Sequence, residues 1–183
     1  MALPEMQADL LPPCVFPQPY QCTVAELHER FVKQAPFPEQ RELLFDALRI
    51  YNTLVWRFFP QARLWINGGF VTHKRWAAPG DIDVAIIIRL EDYTALPEEA
   101  KAELNQLLTL QDVSASSPDF AHLRRLQPMG GMIDGFIGVD TGDPGHQPSL
   151  RAWFEQWSGV TDEHKQPRHG VRKGFVEVVN PNA

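Results

Sequence analysis

Two carboxylates, Asp81 and Asp83, stand one residue apart in "GDIDVAIIIRL", at the head of a run rich in β-branched residues. In an extended strand alternate side chains share a face, so both project together. Like charges held that close raise each other's pKa unless a cation lies between them, and Asp83 has no Lys or Arg within two residues to pair with. Mg²⁺, or Mn²⁺ in its place, is the natural partner, a hard ion that takes one or two carboxylates together with waters and substrate phosphates. A third acid would complete a two-metal clamp. Asp134 in "GMIDGFIGVD" is the candidate, because Ile133 and Ile137 mark a buried strand face, Asp134 points the other way, and glycines beside it leave room for a ligand. Asp140 is the alternative third acid. The competing reading makes Asp81 a turn residue of "PGD" and Asp134 an exposed strand acid.

The pair Gly68–Gly69 ends "RLWINGG", with eleven residues between Gly69 and Asp81. A turn without side chains lets backbone N–H groups approach a phosphate; equally, glycine is a common strand stop. Positive charge for such a phosphate would come from Lys74, Arg75 or Lys173, the last within the basic run "RHGVRKGF". His73, His146, His164 and His169 form no helical i,i+4 pair and no zinc spacing, so core or surface roles are expected. Trp153 and Trp157 lie four apart and are expected to pack on a sheet. Phosphate-loop and dinucleotide glycine motifs are absent from the sequence.

These residues need elements to position them. Residues 1–22 hold five of the 16 prolines and read as an extended or disordered arm; residues 23–183 read as a single domain. Thr23 and Glu26 have capping-box spacing ahead of Val24, Leu27 and Phe31, which share a helical stripe. A long core-facing helix follows in "EQRELLFDALRIYNTLVWRFF", stopped by Pro60. "RLWIN" and "DIDVAIIIRL" read as strands, the second buried on both faces and so in the middle of a sheet. "LPEEAKAELNQLLTL" has helix-start signals. Leu123 and Leu126 suggest a helical turn in the polar stretch that follows, "GMIDGFIGVD" is a strand, "SLRAWFEQWSG" a short helix, "VTDEHKQPRHGVRK" a charged loop and "GFVEVV" the last strand. The expected fold is α/β (α+β), a mixed sheet of about four or five strands flanked by helices.

Bulk properties narrow the function classes. A chain of 183 residues with net charge -6 fits one domain and lacks the cationic excess needed to coat nucleic acid. Cys14 and Cys22 are too few for a disulfide framework or a four-cysteine zinc site, and read as reduced. No apolar run approaches the roughly 20 residues of a membrane helix, and the N-terminus has no signal-peptide pattern. A cytoplasmic protein without membrane contact is expected.

The order "INGG", "DIDV", later strand acid resembles the nucleotidyltransferase superfamily signature, in which an hG[GS] turn precedes Dh[DE]h. It is most similar to a small bacterial and phage-associated group whose "GSFVT-K-P-DID" core is echoed by "GGFVTHKRWAAPGDID". The likeness covers residues 66–84 well and 64–179 loosely, including "WFEQWSG" and "RKGFVEV". It implies a nucleotidyltransferase-like fold, triphosphate contacts at Gly68 and Gly69, and metals on Asp81, Asp83 and Asp134. Gly69 stands where the group more often has Ser. The implied activity moves a nucleotide monophosphate from an NTP to a hydroxyl of RNA, protein or a small molecule, in a toxin-antitoxin or phage-defence setting with a cognate antitoxin or partner protein. A non-catalytic nucleotide- or protein-binding immunity module on the same fold is the alternative.

Overall fold

The computed structural model describes residues 3–111 and 125–183. In chain order the elements are β1 (Tyr20–Gln21), α1 (Val24–His28, continued by a π-helical turn Glu29–Lys33), α2 (Pro38–Phe58), β2 (Arg63–Asn67), β3 (Ile82–Arg89), α3 (Leu90–Thr94), α4 (Glu98–Asn105), β4 (Leu110–Gln111), β5 (Arg125–Leu126), a 3₁₀ turn (Met129–Gly131), β6 (Ile133–Asp140), α5 (Pro148–Trp157), β7 (Gly159–Thr161), β8 (Pro167–Arg172) and β9 (Val176–Val179). Five strands form a mixed sheet in the order β1-β9-β2-β3-β6. β2 runs antiparallel to both β3 and β9, whereas β1 lies parallel to β9 and β6 parallel to β3. The architecture is thus α+β with a five-stranded mixed sheet, and β3 is an interior strand.

Local chemistry accounts for the helices. Thr23 Oγ1 accepts from the Glu26 N–H at 3.1 Å while the Glu26 carboxylate accepts from the Thr23 N–H at 2.8 Å, closing the capping box that starts α1. Pro38 opens α2, and the helix ends just before Pro60, which has no N–H to continue it. Leu44, Leu48, Tyr51 and Val55 line its inner face and are fully buried. They pack with Leu27 and Phe31 against Leu64, Ile66, Val84, Ile86, Ile133, Val176 and Val178, one face of the sheet. On the other face Trp65, Ala85, Ile87 and Phe175 meet Leu150, Phe154 and Trp157 from α5. Helices on both sides explain why β3 is a nearly continuous apolar run. Trp153 and Trp157 do pack on the sheet: their rings contact each other and Phe136, and Trp153 Nε1 donates to the Ile137 carbonyl at 2.9 Å.

Two segments differ from the sequence reading. The charged stretch after α5 is not a loop but the antiparallel hairpin β7–β8. Its residues are exposed on both sides, so no apolar alternation marks it. Leu126 belongs to β5, paired with β4, rather than to a helical turn; Leu123 lies outside the described residues. The N-terminal arm packs on the domain: Leu3 and Leu11 are buried, and the Leu11 carbonyl accepts from the Gly174 N–H at 3.0 Å. Cys14 and Cys22 are free thiols, and burial pushes the Cys22 pKa up to about 12. Among the described residues no helix is long and apolar enough to cross a membrane.

Candidate functional site

Strand register brings three polar residues into one row. Asn67 of β2 stands opposite Asp83 of β3, which stands beside Asp134 of β6. Hydrogen-bonded strands are about 4.8 Å apart, so Asp83 and Asp134 are side-by-side neighbours on one face. Asp81 shares that face one step further out, and its Oδ2 accepts from Gln127 Nε2 at 3.1 Å. The next row inward is Trp65, Ala85 and Phe136, where α5 begins to cover the sheet. Of the three acids only Asp83 lines the open cavity at this end of the sheet, with Asp134 buried beside it.

Crowding has an electrostatic consequence. Burial, then the neighbouring charges of Asp81 and Asp134, push Asp83 up to about 6 from its ordinary 3.8. Asp134 is only 4% exposed. Arg125 grips its Oδ2, while Oδ1 is buried with no hydrogen-bond partner among the described residues. With Asp81 turned to Gln127 and Asp134 to Arg125, no three His, Cys, Asp or Glu side chains among the described residues close around a common point. Asp140 is not part of this group. It lies six residues along β6, roughly 20 Å away at strand rise, and pairs with Arg63 at 2.6 Å.

The glycine turn closes over Asp83. Gly68 has φ +79°, and a Cβ there would overlap the Asp83 carboxylate. Only glycine satisfies both the backbone and the space. At Gly69 a Cβ would come within 3.0 Å of Lys74 Nζ, so the space a serine side chain would use holds the Lys74 ammonium. Lys173, 7% exposed, donates to Asn67 Oδ1 at 2.5 Å and to the Gly68 carbonyl at 3.3 Å. Burial pulls its pKa down to about 8 against the opposing pull of Asp83. Asn67 is fixed from its other end, with Nδ2 donating to the Trp157 carbonyl at 3.1 Å. Lys173, Asn67 and the turn are thus one hydrogen-bonded unit.

These groups share a cavity of about 540 Å³ lined by Gly68, Gly69, Lys74, Asp83 and Lys173, with Trp76 at its wall, the N-terminal arm adding Asp9 and the β7–β8 hairpin adding charges of both signs, Lys165 and Arg168 with Asp162 and Glu163. The structure brings Gly68, Gly69, Lys74, Lys173 and Asp83 together, sets Asp81 and Asp134 beside them, and leaves Arg75 exposed outside the lining. His73 is structural, its Nε2 donating to the Arg30 carbonyl at 2.9 Å; His146, His164 and His169 are exposed. Sequence reasoning missed Asn67, Arg125 and the hairpin cations. Asn67 could have been found as a polar residue ending an apolar strand immediately before the glycine pair; nothing near Arg125 signals its partner.

The link between Lys173 and Asp83 is testable. Replacing Lys173 with Met removes a charge that favours the Asp83 carboxylate, so the Asp83 titration midpoint should move above about 6. Carboxyl ¹³C NMR across pH reads that shift directly, and an unmoved midpoint would show the two groups to be uncoupled.

A buried-acid rim, a glycine turn and two flanking lysines are built from segments spanning β2 to β9, so any kinship that preserves the site must run nearly end to end. Comparison with curated proteins finds no match, and comparison with solved structures finds none. Residues 4–179 match a protein family described as a family of unknown function, DUF6932, and the chain belongs to that family.

Proposed function

We propose that this protein is a metal-dependent nucleotidyltransferase, moving a nucleotide monophosphate from an NTP to a hydroxyl of RNA, protein or a small molecule. The observation that carries the proposal is the register of Asp83 with Asp134, with Asp83 lining a cavity together with the adjacent Gly68–Gly69 turn, Lys74 and Lys173. An acid alone would repel an NTP; an acid set against a glycine turn and two ammonium groups suits a triphosphate carried with a cation.

The residues fit Mg²⁺ or Mn²⁺ in the sparse manner usual for these ions, by one or two carboxylates with phosphate and water supplying the rest. Asp83, whose carboxylate burial and neighbouring charges disfavour, and the unpartnered Oδ1 of Asp134 would hold it, with Asp81 next to them. Bound there, the ion supplies charge neutralisation at the phosphates. The chain's own residues do the remainder. Lys74 and the turn N–H groups receive the triphosphate, Lys173 fixes the turn through the Gly68 carbonyl, and the acceptor oxygen attacks the α-phosphorus as pyrophosphate leaves. Asp134, once freed from Arg125, would take the acceptor's proton if it stands nearer the acceptor than the metal.

A second reading, a nucleotide- or protein-binding module without turnover, is favoured by one feature: the Arg125 guanidinium already neutralises Asp134. A toxin or phage-defence component in the cytoplasm with a cognate partner fits either reading. Radiolabelled NTP with Mg²⁺ or Mn²⁺ should label an acceptor in cell extract with wild type and not with the Asp81→Ala/Asp83→Ala variant. Equal labelling with both would sink the enzyme. Calorimetry separates the module, which binds its partner without divalent metal.

A further inference from the structure

The stretch from Phe70 to Gly80 joins the glycine turn to the acids, and it is held at both ends. Behind it the buried Arg41 guanidinium donates to the Phe70 carbonyl at 2.5 Å and to the Thr72 carbonyl at 2.7 Å. The His73 N–H donates to the Asp9 carbonyl of the N-terminal arm at 2.8 Å. A Cβ on Gly69 would lie 3.0 Å from Lys74 Nζ and 3.7 Å from Pro79 Cβ, so the Lys74 ammonium and the buried Pro79 ring both stand against the glycine pair. Between these two holds the tip of the loop, Arg75 to Ala78, is exposed.

The tip turns a particular side to the cavity. Trp76 and Ala77 line it, whereas Arg75 does not. A loop that only added positive charge would present the guanidinium; this one presents the indole. Among the described residues Trp76, 53% exposed, is the one exposed large apolar side chain that lines this cavity. No protein ring stacks on it and no cation lies over it among those residues. A second tryptophan of the lining points the same way. Trp56, Trp65 and Trp153 donate their Nε1–H to acceptors in the protein. Trp157, only 5% exposed, lines the cavity and has no such acceptor among the described residues, although buried donors are nearly always paired. The cavity thus carries an open aromatic face and an unpaired indole donor beside its ammonium groups.

We propose that Trp76 is the base platform of the nucleotide site: its indole face takes the nucleobase while the glycine turn, Lys74 and Lys173 take the phosphates. The inference rests on the cavity accepting an NTP and names the residue that separates a nucleotide from a bare polyphosphate. Spacing supports it. Trp76 lies two residues beyond Lys74, and two residues span at most roughly 7 Å, the order of length a ribose bridges between phosphate and base. Polarity supports it too. Burial, then the charges of Arg41 and Lys165, disfavour the Lys74 ammonium, so an anion is welcome there, whereas a planar uncharged ring suits Trp76. Every base has a π-face, so Trp76 sets affinity for the nucleoside and not the choice among bases.

Calorimetry on wild type, Trp76→Ala and Trp76→Phe, all with Mg²⁺, uses two probes: whichever of ATP, CTP, GTP and UTP wild type binds most tightly, and inorganic tripolyphosphate. Trp76→Ala should bind the NTP about tenfold more weakly or worse, the effect of losing one stacked base, and tripolyphosphate within about twofold of wild type. Trp76→Phe keeps a ring and should bind the NTP more tightly than Trp76→Ala. Equal NTP affinity in wild type and Trp76→Ala, a Trp76→Phe as weak as Trp76→Ala, or equal losses on both probes overturns the role of Trp76 alone. If tripolyphosphate binds too weakly to measure, tryptophan emission decides: the NTP should quench wild type more than Trp76→Phe, and equal quenching overturns the role. A wild type that binds no NTP with Mg²⁺ overturns this role and the proposed function together.

Discussion

Asp83→Asn should make the metal-free protein more stable and abolish Mg²⁺-dependent nucleotide binding. Asp83 has a folded-state pKa of about 6 against an ordinary 3.8. A carboxyl whose pKa is raised by folding is tolerated while protonated, so stability is highest in acid and falls as pH rises from about 4 through about 6. At pH 7 the ionised group costs on the order of 3 kcal/mol. That penalty is already net of the attraction of Lys173, so asparagine, uncharged at every pH, should gain up to about 3 kcal/mol, or roughly 6–12 °C in Tm. Thermal melts in EDTA should show this gain at pH 7 and a much smaller one at pH 4.5. With Mg²⁺ and NTP added, wild type should rise in Tm by ligand linkage and the variant should not. An Asp83→Asn variant that melts with wild type in EDTA would show the carboxylate to be unstrained.

Gly68→Ala should be the most damaging single methyl group in the chain's glycine turn. Its φ of +79° disfavours any side chain, and the added Cβ would overlap the Asp83 carboxylate. The left-handed backbone costs about 1–2 kcal/mol, and displacing a half-buried carboxylate adds a comparable amount, about 2–4 kcal/mol together. Gly80→Ala is the matched control. Its Cβ would meet nothing within 4 Å and its φ is not positive, so it should lie within about 0.5 kcal/mol of wild type. Urea denaturation of both variants measures the contrast. Similar midpoints would mean that Asp83 does not rest against the turn.

Much of this architecture could be read from pattern. The stripe of α2 and the β-branched run of β3 are consequences of period, and period survives translation into structure because burial enforces it. The paired acids were legible for the opposite reason: they break the pattern at the head of a buried strand. Partners remote in sequence were not legible. Arg41 stands on the inner stripe of α2, three residues before Leu44, so its burial follows from period, but only the fold brings the Phe70 and Thr72 carbonyls to it. Arg125 and Asp134 are nine residues apart in chain order, but their pairing depends on where β5 leaves the chain relative to β6. Glu177 shows the same limit: its alternation with Val176 and Val178 suggests an exposed face, yet it is 3% exposed and accepts from Arg63 at 3.0 Å and Trp65 at 2.8 Å. The hairpin β7–β8 was missed because a ribbon open to water on both sides carries no burial signal.

The place of β9 between β1 and β2 has a consequence for biogenesis. β2, β3 and β6 leave the ribosome before Lys173 and Phe175, so a nascent chain holds its acids together without their buried cation and leaves the long edge of β2 unpaired. The last strand supplies both at once, its flank bringing the ammonium to Asn67 and its backbone capping β2. Vectorial synthesis thus delays the charged cavity until the sheet can close, and a nascent chain stalled before residue 173 would carry a bare β2 edge and an incomplete cavity.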